Sequence, residues 1–484
     1  MNRSLPYYLR VYTAEYAPAK GACGCRGQFT QEDIYMKSNH QPSGSKSRAS
    51  VFELGGVPAF SQALPLALQH VVAMIVGCVT PSIIIAGVAG ISDADRVILI
   101  QAALFCSAIS TLLQLFPIVR TKNFQLGSSL PVIMGISFAY VPSMQAIAEV
   151  ADIGTILGAQ IVGGIVAILV GFGIRKIRIL FPPIVTGTVV FTIGLSLYPT
   201  AVNYMAGGTS NPDYGSWKNW LAAFFTLAVV IGLNHFAKGF LKLASILVGI
   251  IAGYIFAACL GLVDLSGIQS AGLFQVPQPL HFGITFEPSS CVAIAILFAV
   301  NSIQAIGDFS ATTVGSMNRD PEDKELQGGI VMYGLSNILD AFLGGLPTAT
   351  YSQNVGIVTT TKVINRCVLG LAAVILLIAG FVPKFSALLT TIPQCVLGGA
   401  TISVFASIAM TGIKLIFRQE MNYRNTSIVG LSVALGMGVS QAQASLAQFP
   451  EWATMIFGRS PVVIATIMAI LLNLILPREK AQEK

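Results

Sequence analysis

Two stretches of the sequence, FPPIVTGTVVFTIGLSL at residues 181–197 and IPQCVLGGATISVFASI at residues 392–408, resemble each other and decide how the chain is organised. Aligned at an offset of 211 residues, they share a proline at the second position and a glycine at the seventh. A second pair of prolines, Pro131 and Pro347, lies 216 residues apart. Similar offsets at two places predict two related halves. Chance likeness between Pro- and Gly-rich apolar segments is the alternative.

The composition around these stretches indicates a membrane protein. Of 484 residues, 54% are hydrophobic and only 10% are charged, against about 25% charged in an ordinary soluble domain. The mean hydropathy is +0.74. A soluble core stops growing at roughly 250–300 residues and does not need this much apolar sequence. The composition therefore argues against a soluble enzyme, a nucleic-acid-binding domain and a disulfide-stapled secreted module.

Apolar runs separated by short polar breaks predict an all-α polytopic membrane protein with fourteen transmembrane segments. Seven segments in each half is an odd number, which inverts the second half relative to the first, as in many secondary transporters. The third and tenth segments are irregular, since Pro131 and Pro347 interrupt them. The predicted segments are residues 62–88, 98–117, 126–147, 153–173, 179–200, 217–236, 241–263, 287–308, 327–345, 347–361, 363–383, 387–413, 425–441 and 457–476.

Lysine and arginine are unevenly distributed between the two sides of this predicted topology. One side holds fourteen of them: Arg120, Lys122, Arg175, Lys176, Arg178, Lys238, Lys242, Arg319, Lys324, Lys362, Arg366, Lys414, Arg418 and Arg424. The other side holds four: Arg96, Lys218, Lys384 and Arg459. The positive-inside rule then predicts a multi-pass protein of the cell (inner or cytoplasmic) membrane with both termini cytoplasmic. The bias of Lys and Arg towards one side accounts for the net charge of +7, so no nucleic-acid partner is needed to explain that charge.

The ends of the chain differ from its middle. Residues 1–58 form a predicted polar cytoplasmic tail, of which residues 1–35 are interpreted as an extension, and residues 478–484 form a second tail. Cys23 and Cys25 have no second pair with zinc spacing. The cysteines within apolar segments are predicted to be buried as small hydrophobic residues. No cofactor or metal ion is predicted.

Several catalytic motifs are missing from the sequence. The candidates for a functional site are therefore the polar residues that lie inside apolar runs. The chain lacks a P-loop, an HExxH motif and a GxSxG motif, so neither ATP-driven transport nor familiar hydrolase chemistry is indicated. Asp308 follows Gln304 by four residues, on the same helical face, although it could instead cap the next helix at the membrane edge. Asp340 follows Tyr333 by seven residues, again on the same helical face, and is the other candidate for a carboxylate at membrane depth. The alternative is that Asp340 only forms hydrogen bonds inside the bundle.

The richest polar cluster is TATYSQNVGIVTTTK at residues 348–362. The adjacent carboxamides of Gln353 and Asn354 offer donors and acceptors in a fixed pattern, which suits a planar heterocycle with alternating C=O and N–H groups. The related segment SSLPVIMGISFAYV contributes Ser137 and Phe138, whose aromatic face could stack on such a ring. The alternative is that these polar groups only satisfy a broken backbone. A lone histidine in an apolar run, such as His70, is more often structural.

Three motifs together resemble the nucleobase–ascorbate transporter family, the nucleobase:cation symporters of the second type. QNVGIVTTTK at residues 353–362 matches the signature Gln/Glu/Pro-Asn-x-Gly-x-x-x-x-Thr-Arg/Lys/Gly, through Gln353, Asn354, Gly356, Thr361 and Lys362. QAIGDFSATT at residues 304–313, with Gly307 and Asp308, resembles the eighth-segment motif of the family. Gln69 and His70 resemble its first-segment Gln-His pair. The similarity extends from about Phe60 to Pro477.

The resemblance implies a core domain and a gate domain. Segments 1–4 and 8–11 (residues 59–178 and 285–384) would form the core, and segments 5–7 and 12–14 (residues 179–284 and 385–477) the gate. Segments 3 and 10 would each contain a short strand and a half-helix that meet at the midplane. The resemblance also implies a homodimer in the lipid bilayer.

The same resemblance implies roles for individual residues. Phe138 would stack on a purine base, Gln353 would bond its edge, and Asn354 would support that site. Where relatives bind substrate through a glutamate, this chain has Gln304, and Tyr333 replaces an aspartate that bacterial xanthine carriers tend to have. Asp308 is retained, so it is the first candidate for carrying the coupling proton.

These observations predict a permease, not an enzyme, that imports a purine nucleobase such as xanthine or uric acid by proton symport. Gln304, Ser137 and the pair Gln353 and Asn354 are the polar candidates for substrate binding. Asp340 and His70 follow Asp308 as proton-coupling candidates. A carrier of uracil or another small solute on the same fold, and a non-transporting receptor-like paralogue, are the alternatives.

Overall fold

The computed structural model describes residues 49–477 except residues 123, 178–179, 210, 265–271, 451–452 and 459, and it is mostly helical. Several sequence predictions lie outside the described residues: the extension at residues 1–35, the tail at residues 478–484, Cys23, Cys25, Arg178 and Arg459.

Long helices alternate with two short strands along the chain. The elements up to residue 259 are α1 (Phe60–Val88), α2 (Asp93–Leu115), β1 (Met134–Ile136), α3 (Val141–Ala148), α4 (Ile153–Ile177), α5 (Pro183–Ser196), α6 (Tyr198–Met205), α7 (Trp217–Phe236), α8 (Phe240–Leu243) and α9 (Ser245–Cys259). The elements after residue 287 are α10 (Pro288–Met317), α11 (Asp323–Phe342), β2 (Thr348–Thr350), α12 (Ser352–Thr361), α13 (Arg366–Gly380), α14 (Pro383–Thr390), α15 (Gln394–Ile416), α16 (Tyr423–Gln441) and α17 (Pro461–Ile475).

The apolar helices are long enough to make a multi-pass membrane protein. Among the described residues, seven helices could each cross a bilayer, and the pair α13 and α14, bent by 83°, adds an eighth if it forms one span. Each of the fourteen predicted segments overlaps at least one helix, although segment 241–263 is divided between α8 and α9. The number of fourteen crossings stays a prediction.

Helix α10 is longer than the sequence predicted. The predicted segment ends at Asp308, whereas the helix continues to Met317. The polar residues after Asp308 do not stop it, because the hydroxyls of Thr312 and Thr313 bond back to backbone carbonyls of the preceding turn at 2.8 and 3.1 Å. Asp308 therefore lies inside α10, and the alternative that it caps the next helix is wrong. A capping box between Glu322 and Glu325 begins α11 instead.

The two similar stretches, residues 181–197 and 392–408, lie largely in α5 and α15, which pack against each other. Glycines permit the close approach. A Cβ on Gly194 would lie 2.4 Å from the backbone nitrogen of Ala409, and one on Gly412 would lie 2.3 Å from that of Phe191. Small residues at helix interfaces are the usual means of tight packing in a membrane, where lipid offers no hydrophobic drive for association.

The third and tenth predicted segments are broken, and the structure contains a short strand in each. β1 and β2 pair antiparallel, with Met134 opposite Thr350 and Ile136 opposite Thr348. Pro131 and Pro347 come shortly before the strands, where a missing N–H costs no ladder hydrogen bond. The expected strands are thus present, and their pairing satisfies backbone groups that water cannot reach.

Candidate functional site

Short helices begin just beyond the two paired strands. β1 leads through Ser137 into a 3₁₀ turn at Phe138–Tyr140 and then into α3, while β2 leads through Tyr351 into α12. The Ser137 hydroxyl accepts a hydrogen bond from the backbone N–H of Ala139 at 3.2 Å, which fixes the turn that carries Phe138. A ladder of three residues is only about 10 Å long. Because the strands are antiparallel, the two helical starts lie at opposite ends of this short ladder.

The Tyr351 ring packs between α1 and β1 at the point where β2 leads into α12. Its hydroxyl donates to the Ile136 carbonyl at 2.7 Å. A Cβ on Gly135 would lie 2.5 Å from the ring, and one on Gly77 would lie 2.9 Å from it. Glycine is thus required at both positions because the ring occupies the space of a side chain. The contact ties α1, β1 and the start of α12 into one unit.

Phe138 and Gln353, the two residues predicted to hold a base, line the same cavity. It is narrow in this structure, with a volume of about 10 Å³, which is about the space of one water molecule. The Phe138 ring meets the buried Phe405 ring edge-on, with centroids 5.2 Å apart, while Gln353 is exposed. An aromatic face and a free carboxamide thus border one small space. The other lining residues are Ala73, Val76 and Gly77 of α1, Ile246 of α9, and Thr401 and Val404 of α15.

Asp308 holds the strand–helix junction that carries Gln353. Its carboxylate accepts hydrogen bonds from the Thr350 hydroxyl at 2.5 Å and from the Ser352 hydroxyl at 2.8 Å. Thr350 ends β2 and Ser352 begins α12, so both bonds flank the turn just before Gln353. Asp308 itself is only 8% exposed. A change in its charge would alter both bonds and so act directly on the position of Gln353.

Asn354 points away from the cavity. Its amide nitrogen lies 3.1 Å from His70 Nδ1 and donates to the His70 carbonyl at 3.2 Å. Both side chains are 1% exposed. The amide oxygen of Asn354 has no hydrogen-bond partner among the described residues. The structure therefore places Asn354 and His70 behind the cavity, where they join α12 to α1, and Gln69 lies half-buried beside them.

Asp340 and Tyr333 lie on α11 in separate hydrogen-bonding groups. The Asp340 carboxylate is fully buried and accepts from the Ser110 hydroxyl at 2.9 Å and the Thr348 hydroxyl at 3.0 Å. The Tyr333 hydroxyl instead bonds to that of Tyr140. Asp340 therefore connects α11 to α2 and β2, and none of these groups belongs to the cavity lining.

The remaining predicted residues lie on α10 and α12. Gln304 is half-buried one turn before Asp308. Gly307 and Gly356 are exposed, and a Cβ on either would meet nothing within 4 Å. The space beside both glycines is therefore open.

The end of the signature segment has a structural role. The Thr361 hydroxyl bonds to the Ile357 carbonyl at 2.8 Å. Lys362 ends α12 with a φ of 59°, and its ammonium group donates to the Gly315 carbonyl of α10. These contacts fasten the end of α12 to its neighbour.

Sequence reasoning did not find the cavity residues contributed by α1, α9 and α15. Thr401 and Val404 lie within the second of the two similar stretches, so the repeat was the only signal that marked them. Ile246 and Ala73 are ordinary apolar residues of apolar helices. Nothing in their local sequence distinguishes them from residues that pack or face lipid.

Apolar helices around two paired broken segments, with a small cavity at their junction, define a multi-pass membrane transport protein. Residues 61–445 match the family model described as "Permease family". The chain belongs to this family of xanthine and uric acid permeases, and the resemblance seen in its three motifs is confirmed. It is a permease and not an enzyme.

Two bacterial relatives and one solved structure illustrate the similarity. The chain is 33% identical over 419 residues to "Xanthine permease" of Bacillus subtilis, covering 86% of this chain and 94% of that one. It is 34% identical over 417 residues to "Uric acid permease PucJ" of the same organism, covering 84% and 91%. The transmembrane domain of the cyanobacterial bicarbonate transporter BicA shares the fold, with a TM-score of 0.57 at 16% identity, over 85% of this chain and 98% of that one.

Proposed function

We propose that the protein is a secondary transporter that imports a purine nucleobase such as xanthine or uric acid by proton symport. The observation that carries this proposal is the shared cavity of Phe138 and Gln353. A flat ring with polar edges needs an aromatic face and a hydrogen-bonding edge, and these two side chains offer both. The names of the relatives, which include a xanthine permease and a uric acid permease, support the same class of substrate.

The proposed architecture has fourteen crossings in two inverted repeats, divided into a core (residues 59–178 and 285–384) and a gate (residues 179–284 and 385–477). The antiparallel pairing of β1 with β2 supports the inversion, because equivalent strands of inverted halves run in opposite directions. The cavity also lies where the two domains meet. Phe138 and Gln353 come from the core, and Ile246, Thr401 and Val404 from the gate. Movement of one domain against the other would expose such a site to each side in turn.

Substrate recognition is divided among few residues in this proposal. Phe138 stacks on the base and Gln353 bonds its edge, with Gln304 and Ser137 as further polar contacts. Asn354 supports Gln353 from behind through its contact with His70. Because Gln304 cannot carry a proton, it contributes hydrogen bonding alone.

Asp308 is the proposed coupling residue. Its carboxylate accepts from Thr350 and Ser352 on either side of the turn before Gln353. Protonation removes the negative charge that strengthens both bonds, so proton binding and the position of Gln353 are linked. Asp340 is the second candidate and His70 the third, but their contacts lie behind the cavity.

The proposed location is the inner (cytoplasmic) membrane, with both termini cytoplasmic. The bias of lysine and arginine towards one side supports this orientation, and an even number of crossings returns the chain to the side where it started. A homodimer in the bilayer belongs to the same proposal by family likeness.

Uptake of labelled xanthine, uric acid, hypoxanthine and uracil into cells that lack their own permeases tests the function. We expect saturable uptake of one or more purines, abolished by a protonophore and absent from cells with an empty vector. Uptake of uracil alone, or binding without flux at normal surface expression, would contradict the proposal in favour of another solute carrier or a receptor-like protein.

A further inference from the structure

Two arginines converge on one hydroxyl at the end of the bundle where α2 ends and α13 begins. Arg366 Nη1 donates to the Ser129 hydroxyl at 2.6 Å, and Arg120 Nη2 donates to the same oxygen at 3.3 Å. Within the described part of the chain, neither guanidinium forms an ion pair with a carboxylate. Arg366 is also the first residue of α13, where the helix itself adds partial positive charge. The site therefore holds uncompensated positive charge.

The acids of the neighbouring loop already have basic partners. The Glu322 carboxylate lies 2.8 Å from Lys324, and that of Glu325 lies 2.6 Å from Arg319. The hydrogen bond from Lys324 is the main cause that holds the pKa of Glu322 below its usual range, and Arg120 is the smallest contributor. Since these carboxylates are engaged, an anion from outside the chain is the natural partner for the arginine pair.

Exposed apolar side chains lie in the chain segments next to the two arginines. Arg366 also donates to the Leu54 carbonyl at 3.2 Å and to the Leu115 carbonyl at 3.4 Å, so it holds the segments before α1 and after α2 beside it. Both segments carry apolar residues that are 42–73% exposed, and we call these the apolar rim: Phe52, Val57, Phe116, Ile118 and Val119. Positive charge within exposed apolar surface at the end of a helix bundle is typical of the membrane interface.

We propose that Arg120 and Arg366 bind the phosphate of an anionic phospholipid whose acyl chains lie along the apolar rim. The guanidinium fork matches phosphate oxygens in pairs, and basic pockets at the ends of membrane helices bind anionic head groups. The apolar rim distinguishes a lipid from a free anion, because inorganic phosphate would gain nothing from exposed Ile118 and Val119. The site is independent of the substrate cavity.

Native mass spectrometry and thermal unfolding of the purified full chain in neutral detergent test the proposal. The probes are short-chain phosphatidylglycerol, phosphatidylcholine and inorganic phosphate. We expect phosphatidylglycerol alone to bind and raise the melting temperature. Arg120→Gln should weaken its binding about tenfold, because a charge-assisted bond to phosphate is lost. Lys122→Gln removes the same charge from an exposed position of the same loop and should stay within about twofold of the parent.

Two results would overturn the proposal. Arg120→Gln could bind phosphatidylglycerol as tightly as Lys122→Gln, or inorganic phosphate could stabilise the protein as much as the lipid does. Among the described residues the Arg120 side chain makes one hydrogen bond, so its replacement should leave the melting temperature without lipid unchanged. Arg366→Lys provides a second test that keeps the charge but removes the fork, and it should also weaken lipid binding severalfold.

Discussion

The two broken segments, residues 126–147 and 347–361, have the same order of secondary structure but different side chains at the start of the helical part. Each contains a three-residue strand followed by a short helix, and the strands pair with each other. The first segment presents a buried aromatic ring, Phe138, after a strand whose residues are all buried. The second presents exposed polar groups, Ser352 and Gln353, at the start of its helix. The same backbone arrangement thus presents an aromatic ring in one segment and polar side chains in the other.

The two segments also differ in what holds them. Asp308 reaches the second segment at its strand–helix junction, through Thr350 and Ser352. At the corresponding junction of the first segment, Ser137 accepts a bond from its own turn, and no carboxylate contacts it among the described residues. A group that can gain or lose a proton therefore acts on the polar segment. Under the proposed function, this difference predicts that stacking on Phe138 does not depend on the protonation of Asp308, whereas hydrogen bonding by Gln353 does.

The largest effect should follow loss of the polar edge. Gln353→Ala leaves a purine edge unpaired once bound substrate excludes water, which costs about 1–3 kcal/mol per lost partner, or roughly a 5- to 150-fold loss of affinity. Purine uptake should be abolished at normal surface expression. The matched control is Thr360→Ala on the same helix, whose exposed hydroxyl bonds to the Gly356 carbonyl one turn earlier. Unchanged uptake by Gln353→Ala would reject its role.

The second effect concerns the proton. One unit of pH difference is worth about 1.4 kcal/mol and so supports roughly tenfold accumulation at one proton per substrate. Asp308→Asn should keep purine exchange in proteoliposomes but lose this accumulation. Asp340→Asn is the matched control, because its carboxylate is buried behind the cavity. If Asp308→Asn responds to the gradient as the parent does, Asp308 is not the coupling residue, and a loss in Asp340→Asn would assign the role there.

A third effect compares glycines of the two segments. Gly135→Ala would place a Cβ 2.5 Å from the Tyr351 ring and 2.6 Å from Cys78 Sγ, and such overpacking costs about 1–3 kcal/mol. Gly356→Ala meets nothing within 4 Å. Thermal unfolding in detergent should therefore show a lower melting temperature for the first variant only. Equal destabilisation of both would show that the first segment is not packed more tightly than the second.

The smallest effect should follow loss of the aromatic face. Phe138→Ala removes a stacking partner worth about 0.5–1.5 kcal/mol, a roughly 2- to 10-fold loss of affinity. Phe138→Tyr keeps the ring and should bind purine nearly as the parent does, which competition against labelled substrate would measure. Equal damage by both variants would indicate tight packing against Phe405 in place of stacking on substrate.

Much of the fold could be predicted from local sequence. Apolar runs must become helices in a membrane, since each backbone group needs a partner within the segment. Pro131 and Pro347 marked the places where this rule is broken and strands form. The signature segment likewise pointed to Gln353, and the related segment SSLPVIMGISFAYV pointed to Phe138. The local sequence pattern predicted the wrong end for α10. The polar stretch after Asp308 stays helical because its hydroxyls bond to carbonyls of the preceding turn.

What the sequence by itself determined is therefore the class of protein, its apolar segments and the two faces that could meet a flat ring. Only the tertiary structure decided that Asn354 turns to His70, 284 residues away, and that Asp308 bonds to Thr350 and Ser352 beyond the next helix. It also decided which apolar residues of α1, α9 and α15 complete the cavity. The reason is physical: hydropathy and motifs report what a residue can do locally, whereas its partners depend on how distant helices pack.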